Sequence, residues 1–170
     1  SDVCSSDLVE VAGRVALDEG WLEVAVCRSG SREHEAVVVV DVAPSVVHAA
    51  LLLAGFEPGT PARWRRASGW RPATGDPIAL SLRFDDGGRV REVPLRAAIR
   101  DERGERTPEL VFAGSVVEAR DRGSSASSRY LADMSGTIVG LSTFGDEVVA
   151  AREIRSPDES VDPATWTIRP

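Results

Sequence analysis

The chain has 170 residues, a length typical of one domain and sufficient to bury a hydrophobic core. Hydrophobic residues make up 42% and charged residues 28%, values that exclude a wholly disordered polypeptide. The net charge of −7 argues against nucleic acid or an anionic membrane as a partner, because either would require a basic stripe. No apolar run approaches the roughly 20 residues that span a bilayer, so we expect no transmembrane segment in this chain.

All 20 basic residues are arginines, and the chain contains no Lys, Asn or Gln. The codons of those three residues are rich in A and T, so their absence indicates a GC-rich genome. It also excludes a catalytic lysine, a Schiff base and N-linked glycosylation.

The first eight residues, Ser1 to Leu8, match the in-frame translation of a common sequencing adapter at every position. We therefore expect a non-native tail at residues 1–8 and a single domain at residues 9–170, encoded by a metagenomic fragment. Cys4 is then not native, so a disulfide between Cys4 and Cys27 is not inferred from the even cysteine count.

Strand patterns dominate the first 42 residues. Alternating apolar residues over Val9 to Leu17 and again over Leu22 to Val26 predict a hairpin. The β-branched run from Ala36 to Val42 predicts a central strand that is covered on both faces.

A helix is predicted over residues 44–54. Pro44 suits its first turn, and Gly55 stands where a left-handed C-cap belongs. The segment is apolar almost all round except at Ser45 and His48, so we expect it to be buried against the sheet.

The remaining elements are shorter. We predict an irregular crossing at 57–77, a hairpin from Ile78 to Val93, a helical turn at 96–100, and strands at 110–119, 130–131 and 137–144. The predicted fold class is α+β: β-rich, with a mostly antiparallel sheet and one buried helix at about 44–54.

Several segments together resemble the YdjY-like family of bacterial domains, in order from Val9 to about Asp158. They are Glu33 to Ala36, Pro44 to Leu52, Gly55, Pro58-Gly59, Pro72 to Gly75, Ile99 to Asp101, Val111 to Ser115 and Gly136 to Phe144. The resemblance implies an α+β domain that is often exported or envelope-associated, without specifying a substrate. It also implies a further apolar strand after Pro170, so we expect the natural protein to extend beyond both ends of this chain. The ferredoxin-like label sometimes attached to the family does not suit this sequence, because one native cysteine cannot hold an iron–sulfur cluster.

The only two histidines are His34, just before the central strand, and His48, one turn into the helix. With Glu35 or Glu33 they could form a metal or acid–base set. The alternative is a satisfied structural His48 on an apolar helix and a surface His34, and the absence of a fixed ligand spacing favours it.

Other catalytic chemistry has little support. Cys27 lies in a predicted strand and suits a buried, inert thiol. Ser115 follows Gly114 but does not stand in a nucleophile elbow, and the glycines lack the spacing of a phosphate loop. We assign no catalytic residue and no cofactor beyond the possible divalent metal.

Two tryptophans, Trp64 and Trp70, alternate with arginines such as Arg66 in the irregular segment. This composition suits a ligand or partner surface through cation–π contact and stacking. The alternative, which the acidic composition favours, is that the tryptophans cover the open end of the sheet while the arginines stay solvated.

Two functions therefore compete. The first is a non-catalytic binding or structural domain of the bacterial envelope. The second is a metal-binding or metal-dependent enzyme domain centred on His34 and His48.

Overall fold

A computed structural model of the protein describes residues 7–101, 108–119, 128–156 and 166–168. These residues form α1 (Pro44–Leu53), α2 (Leu95–Ala98), α3 (Leu131–Ser135), a 3₁₀ turn at Glu33–Glu35 and sixteen short strands. In chain order the strands are β1 (Gly13–Val15), β2 (Gly20–Leu22), β3 (Val24–Arg28), β4 (Ala36–Val40), β5 (Arg63–Arg65), β6 (Gly69–Arg71), β7 (Pro77–Ile78), β8 (Ser81–Asp86), β9 (Arg89–Pro94), β10 (Ile99–Asp101), β11 (Leu110–Phe112), β12 (Val117–Glu118), β13 (Arg129–Tyr130), β14 (Thr137–Gly140), β15 (Val149–Ala151) and β16 (Trp166–Ile168). The predicted β-rich α+β class is confirmed.

Seven strands form the main sheet, in the order β1-β4-β3-β14-β15-β11-β7. Most neighbours are antiparallel, whereas β3 with β4 and β14 with β15 are parallel. The connection between β3 and β4 contains the 3₁₀ turn at Glu33–Glu35, whereas residues 141–148 return the chain from β14 to β15 without a helix. The sheet is therefore mixed, with the antiparallel majority that the sequence predicts.

The N-terminal part of the chain differs from the predicted hairpin. β1 pairs with β4, and β2 leaves the main sheet to pair with β16. Residues 22–26 are divided between β2 and β3, because Glu23 donates its backbone N–H to Glu35 at the point where the chain changes sheets. Of the predicted non-native tail, residues 1–6 lie outside the described residues, and Leu8 is 68% exposed.

Smaller sheets surround the main one. β16 lies between β10 and β2 in a three-stranded sheet, although the weak periodicity of residues beyond 152 predicts no strand there. Three two-stranded ribbons pair β5 with β6, β8 with β9, and β12 with β13. The hairpin predicted from Ile78 to Val93 is present as β8–β9, except that Ile78 lies in β7 and pairs with β11. The helical turn predicted at 96–100 is present as α2, which ends at Ala98 where β10 begins.

The predicted helix is present as α1, and its C-terminus forms a Schellman motif. Gly55 adopts a left-handed φ of 98° and donates its N–H to the carbonyl of Leu52. Phe56 donates to the carbonyl of Leu51, and both side chains belong to the main core. This pattern satisfies carbonyls that the helix itself leaves without partners.

The N-terminus of α1 is capped by a residue distant in sequence. Ala43 offers no side-chain cap, and Asp133 of α3 instead accepts the backbone N–H of Ser45 at 2.8 Å. A carboxylate at a helix N-terminus is favoured by the free N–H groups and by the helix dipole.

α1 packs one face against the sheet, as expected, and leaves the other face exposed. Val47 and Leu51 pack into the main core, a contribution of roughly 1.5–3 kcal/mol for each side chain. Val46, Leu52 and Leu53 are 55%, 46% and 90% exposed. The helix lies on one surface of the sheet, and no described element covers its outer face. No described helix is long and apolar enough to cross a membrane.

The base of the β5–β6 ribbon lies against the end of β11 at backbone contact distance. Gly59 donates its N–H to the carbonyl of Phe112 at 2.8 Å, and a Cβ at Gly59 would overlap the carbonyl of Thr74. A Cβ at Gly75 would overlap the carbonyl of Phe112. Both positions therefore need glycine, because two segments of the chain approach each other closely there.

We expect Gly59→Ala to lower the free energy of unfolding by about 1–3 kcal/mol, because the new methyl group would meet backbone that cannot rotate away. Urea denaturation measures the loss. The control is Gly87→Asn in the β8–β9 turn, where φ is 62° and the space is open. Asn tolerates this conformation, so the control should change the free energy by less than about 1 kcal/mol. An equal loss in both variants would contradict the close approach.

Candidate functional site

The tryptophan ribbon, defined as residues 63–71, consists of β5, β6 and the turn between them. Trp64 and Trp70 are direct cross-strand partners, flanked by the pairs Arg63 with Arg71 and Arg65 with Gly69. The two indole rings are 6.0 Å apart between centroids at an interplanar angle of 69°. This edge-to-face geometry is one of the favourable arrangements for an aromatic pair.

The ribbon has two chemically different faces, because side chains alternate along a strand. Trp64 and Trp70 share one face, and Arg63, Arg65 and Arg71 share the other. The tryptophans are 63% and 48% exposed. Each indole is therefore partly open to solvent and partly covered.

The ribbon is also positively charged within an acidic protein. It contains four arginines, and no Asp or Glu occurs from residue 58 through residue 75. Within the described part of the chain, none of these four guanidinium groups takes part in an ion pair. Arg71 donates to Ser68 across the turn at 3.3 Å, and Arg65, Arg66 and Arg71 are exposed.

The base of the ribbon is rigidly attached to the sheet. Ala62 and Ala73 are buried beside Val111 and Ala113. Thr60 and Thr74 exchange backbone and side-chain hydrogen bonds across the same base. The exposed tip therefore projects from a fixed support.

His48 lies in a polar cluster at the other side of β11. Its Nδ1 is 2.8 Å from the Tyr130 hydroxyl, which donates to the carbonyl of Gly114 at 3.1 Å. Since the hydroxyl hydrogen is used for Gly114, His48 must donate from Nδ1, and Nε2 carries the lone pair. The ring also packs edge-to-face on Phe112, with centroids 5.0 Å apart.

Burial controls the ionisation of this cluster. Loss of solvent lowers the pKa of His48, and the carbonyl of Gly114 opposes the shift only partly. The same loss of solvent raises the pKa of the Tyr130 hydroxyl. Both groups are therefore neutral at pH 7, the state in which they satisfy each other.

Ser115 connects three segments and does not form a catalytic pair with His48. Its backbone is left-handed, with φ at 57°. Its hydroxyl donates to the carbonyl of Asp146 at 2.6 Å and accepts the N–H of Ala132 at 3.1 Å. A hydroxyl hydrogen already bonded to a carbonyl is not available to a general base, so the geometry supports a structural role.

His34 lies apart from His48. Its side chain is 80% exposed, and Nε2 is 3.2 Å from the carboxylate of Glu35. His34 precedes β4, whereas His48 contacts β11, and β3, β14 and β15 lie between those strands. At about 4.8 Å per strand, the lateral separation is roughly 19 Å. Among the described residues no group of three His, Cys, Asp or Glu side chains is placed to hold a metal ion.

Two further buried groups have structural surroundings. The Cys27 thiol is fully buried, and burial raises its pKa, which disfavours the reactive thiolate. The Glu147 carboxylate is 1% exposed and accepts the backbone N–H groups of Phe144 and Gly145. Burial raises the pKa of Glu147, and the carboxylate orders the loop before β15.

Sequence reasoning missed the partners of His48 and the burial of Glu147. Tyr130 is 82 residues from His48, and no motif links the two. Glu147 follows Asp146 and has the pattern of a solvated turn. Only the packing of β11 and β15 brings these groups into the interior.

The described residues define a class of protein: a β-rich α+β domain with a mixed central sheet, one helix on its surface and a projecting basic ribbon. The model of the YdjY domain family matches residues 6–168. The chain therefore belongs to the YdjY domain family, as the resemblance implies. No curated protein and no solved structure matches it.

We expect Tyr130→Phe to lower the free energy of unfolding by about 1–3 kcal/mol, because His48 Nδ1 and the carbonyl of Gly114 would lose their common partner. A double-mutant cycle with His48→Asn, analysed by urea denaturation, separates this link from general packing. The two effects should be less than additive. Strict additivity would show that the hydroxyl and the imidazole act independently.

The stability of the protein should depend on pH through His48. Its pKa is lower in the folded chain than the ordinary value of 6.5, so between these two values the unfolded chain binds the additional proton. The stability that neutral His48 contributes is therefore complete above pH 6.5. It is lost as the pH falls from 6.5 through the pKa of His48 in the folded chain. Thermal denaturation should show a larger drop from pH 7 to pH 5 for the natural residue than for His48→Asn. Equal drops would contradict the lowered pKa.

Proposed function

We propose that this protein is a non-catalytic binding domain of the bacterial envelope, with the tryptophan ribbon as its ligand surface. The observation that carries the proposal is the exposure of Trp64 and Trp70 on a ribbon with four guanidinium groups that form no ion pair with any described residue. Exposed indole surface is unfavourable in water by about 25 cal/mol per Å², so a partner that covers it gains binding energy. Tryptophan and arginine are also the residues most often found at binding hot spots.

The β8–β9 ribbon shows that free arginines are not a general property of projecting hairpins in this protein. Arg83 forms an ion pair with Glu10 at 2.8 Å, and Arg91 with Asp86 at 2.9 Å. Among the described residues, acidic partners therefore pair with two of the three arginines of the β8–β9 ribbon and with none of the four arginines of the tryptophan ribbon. This difference supports an external anionic partner for the tryptophan ribbon.

An envelope location is supported by the family resemblance. The bacterial envelope is rich in phosphate and carboxylate groups, which guanidinium groups bind in bidentate fashion. A ribbon with indoles on one face and guanidinium groups on the other suits such surroundings.

The metal-dependent alternative has less support. It needs His34, His48 and Glu35 in one coordination shell, whereas the structure pairs His34 with Glu35 and His48 with Tyr130. His48 Nε2 retains a lone pair that could bind a metal, but no described carboxylate or second imidazole is grouped with it. A zinc titration that produced heat dependent on both histidines would revive this alternative.

Cosedimentation with a washed bacterial envelope fraction tests the proposed ligand surface. We expect Trp64→Ser/Trp70→Ser to reduce the bound fraction at least tenfold, because the variant loses both exposed indoles. The matched control is Phe84→Ser/Val90→Ser on the β8–β9 ribbon, whose residues are 45% and 71% exposed. It should bind like the natural chain. Envelope binding that is unaffected by the tryptophan substitutions would overturn the proposal.

A further inference from the structure

We infer that the tryptophan ribbon binds the surface of a lipid bilayer that carries anionic headgroups, with its tip entering the interface. This inference rests on the proposed function and specifies its ligand. The arguments are the shape of the ribbon, the division of its residues between two faces, and the distance of its charges from the acidic remainder of the protein.

The shape of the ribbon favours an extended partner over a small ligand. Sites for small molecules are concave and enclose most of the ligand surface. The ribbon instead projects from the buried base formed by Ala62 and Ala73, and both indoles are open to solvent. The rings meet at 69° and so do not form one flat platform for a stacked sugar or base. A projecting, exposed tip can reach a broad surface such as a bilayer.

The distribution of residues matches the chemistry of the bilayer interface. Tryptophan concentrates at the headgroup level, where its ring is partly in the apolar region and its N–H remains near water. Arginine can extend along a neighbouring surface so that its charged end reaches a phosphate. With the turn at residues 66–68 directed toward the bilayer, Trp64 and Trp70 would lie at that level on one face. Arg63 and Arg71 would reach headgroup phosphates from the other face.

The net charge of −7 does not prevent this contact, because no Asp or Glu occurs from residue 58 through residue 75. From buried Ala62 to the turn at Ala67 there are about five residues, or roughly 16 Å at about 3.3 Å per residue. The Debye length at physiological ionic strength is about 8 Å. At the tip, the charges of Glu57 and Asp76, which lie beyond the base, are therefore screened more strongly than those of Arg65 and Arg66. The composition argument against an anionic membrane applies to the protein as a whole and not to this ribbon.

Flotation with lipid vesicles tests the inference. The probes are vesicles of equal parts phosphatidylglycerol and phosphatidylcholine, vesicles of phosphatidylcholine alone, and heparin as a soluble polyanion. We expect binding to the anionic vesicles that weakens with added salt, and at least tenfold weaker binding to phosphatidylcholine. Arg63→Gln/Arg71→Gln should weaken binding by about 25-fold, at about fivefold for each arginine. The matched control, Arg89→Gln/Arg91→Gln, removes the same charge from the β8–β9 ribbon and should change binding less than twofold.

Indole fluorescence gives an independent readout. On anionic vesicles the emission of the natural chain should shift to shorter wavelength, because Trp64 and Trp70 leave water. Trp64→Phe/Trp70→Phe retains Trp21 and Trp166 and should show no shift. A thermal melt of each variant confirms that it remains folded, as expected for substitutions at exposed positions.

The possible failures are distinguishable. Vesicle binding that is equal in the ribbon variants and their controls would overturn the inference. So would binding to heparin without binding to anionic vesicles, which would indicate a polyanion recognised without a bilayer. If the ribbon is required for binding to the envelope fraction but not to lipid vesicles, the bilayer inference fails and the proposed function stands. If envelope binding does not require the ribbon, the proposed function fails as well.

Discussion

The contact between the ribbon base and β11 leaves no space for a side chain at Gly59 or Gly75. Two backbone hydrogen bonds join the end of β11 to the base of the ribbon. Gly59 donates its N–H to the carbonyl of Phe112, and Phe112 donates its N–H to the carbonyl of Asp76. Phe112 is itself fully buried in the main core. An isolated two-stranded hairpin is only marginally stable in water, so the order of the exposed tip depends on this attachment.

The end of β11 also supports the polar cluster that contains His48, Tyr130 and Ser115. Pro58, at the ribbon base, packs against Gly114, whose carbonyl accepts the Tyr130 hydroxyl. His48 bonds to Tyr130 through Nδ1, and Tyr130 and Ser115 also bond to backbone carbonyls. Partly buried polar groups that are paired in this way stabilise one arrangement of the surrounding loops. We interpret the cluster as the support of the ribbon and not as a reaction centre.

The charge of the protein is unevenly distributed along the chain. The net charge is −7, whereas the tryptophan ribbon carries four arginines and no acidic residue. Overall acidity keeps a protein soluble and disfavours non-specific contact with polyanions. Under the proposed function, the basic ribbon is the part of the surface where an anionic partner would bind. The indoles add apolar area, which is less sensitive to salt than the guanidinium groups.

Local patterns in the sequence determined several elements correctly. α1 ends at Leu53, and Gly55 forms the predicted left-handed cap that lets the chain turn back onto Leu51. The β8–β9 hairpin follows from alternating residues around a turn that contains two glycines. In each case the signal lies within a few residues of the structure that it specifies.

Only the tertiary structure decided the features that depend on distant residues. The sheet order separates β1 from β2, and the pairing of His48 with Tyr130 spans 82 residues. The exposed outer face of α1 could not be predicted, because its residues are as apolar as those of the buried face. The degree of exposure of Trp64 and Trp70 was likewise open in the sequence. It depended on where the ribbon base attaches, which is set by backbone contact between Gly59, Gly75 and Phe112. Periodicity reports which side chains share a face, whereas burial is decided by the element that packs against that face.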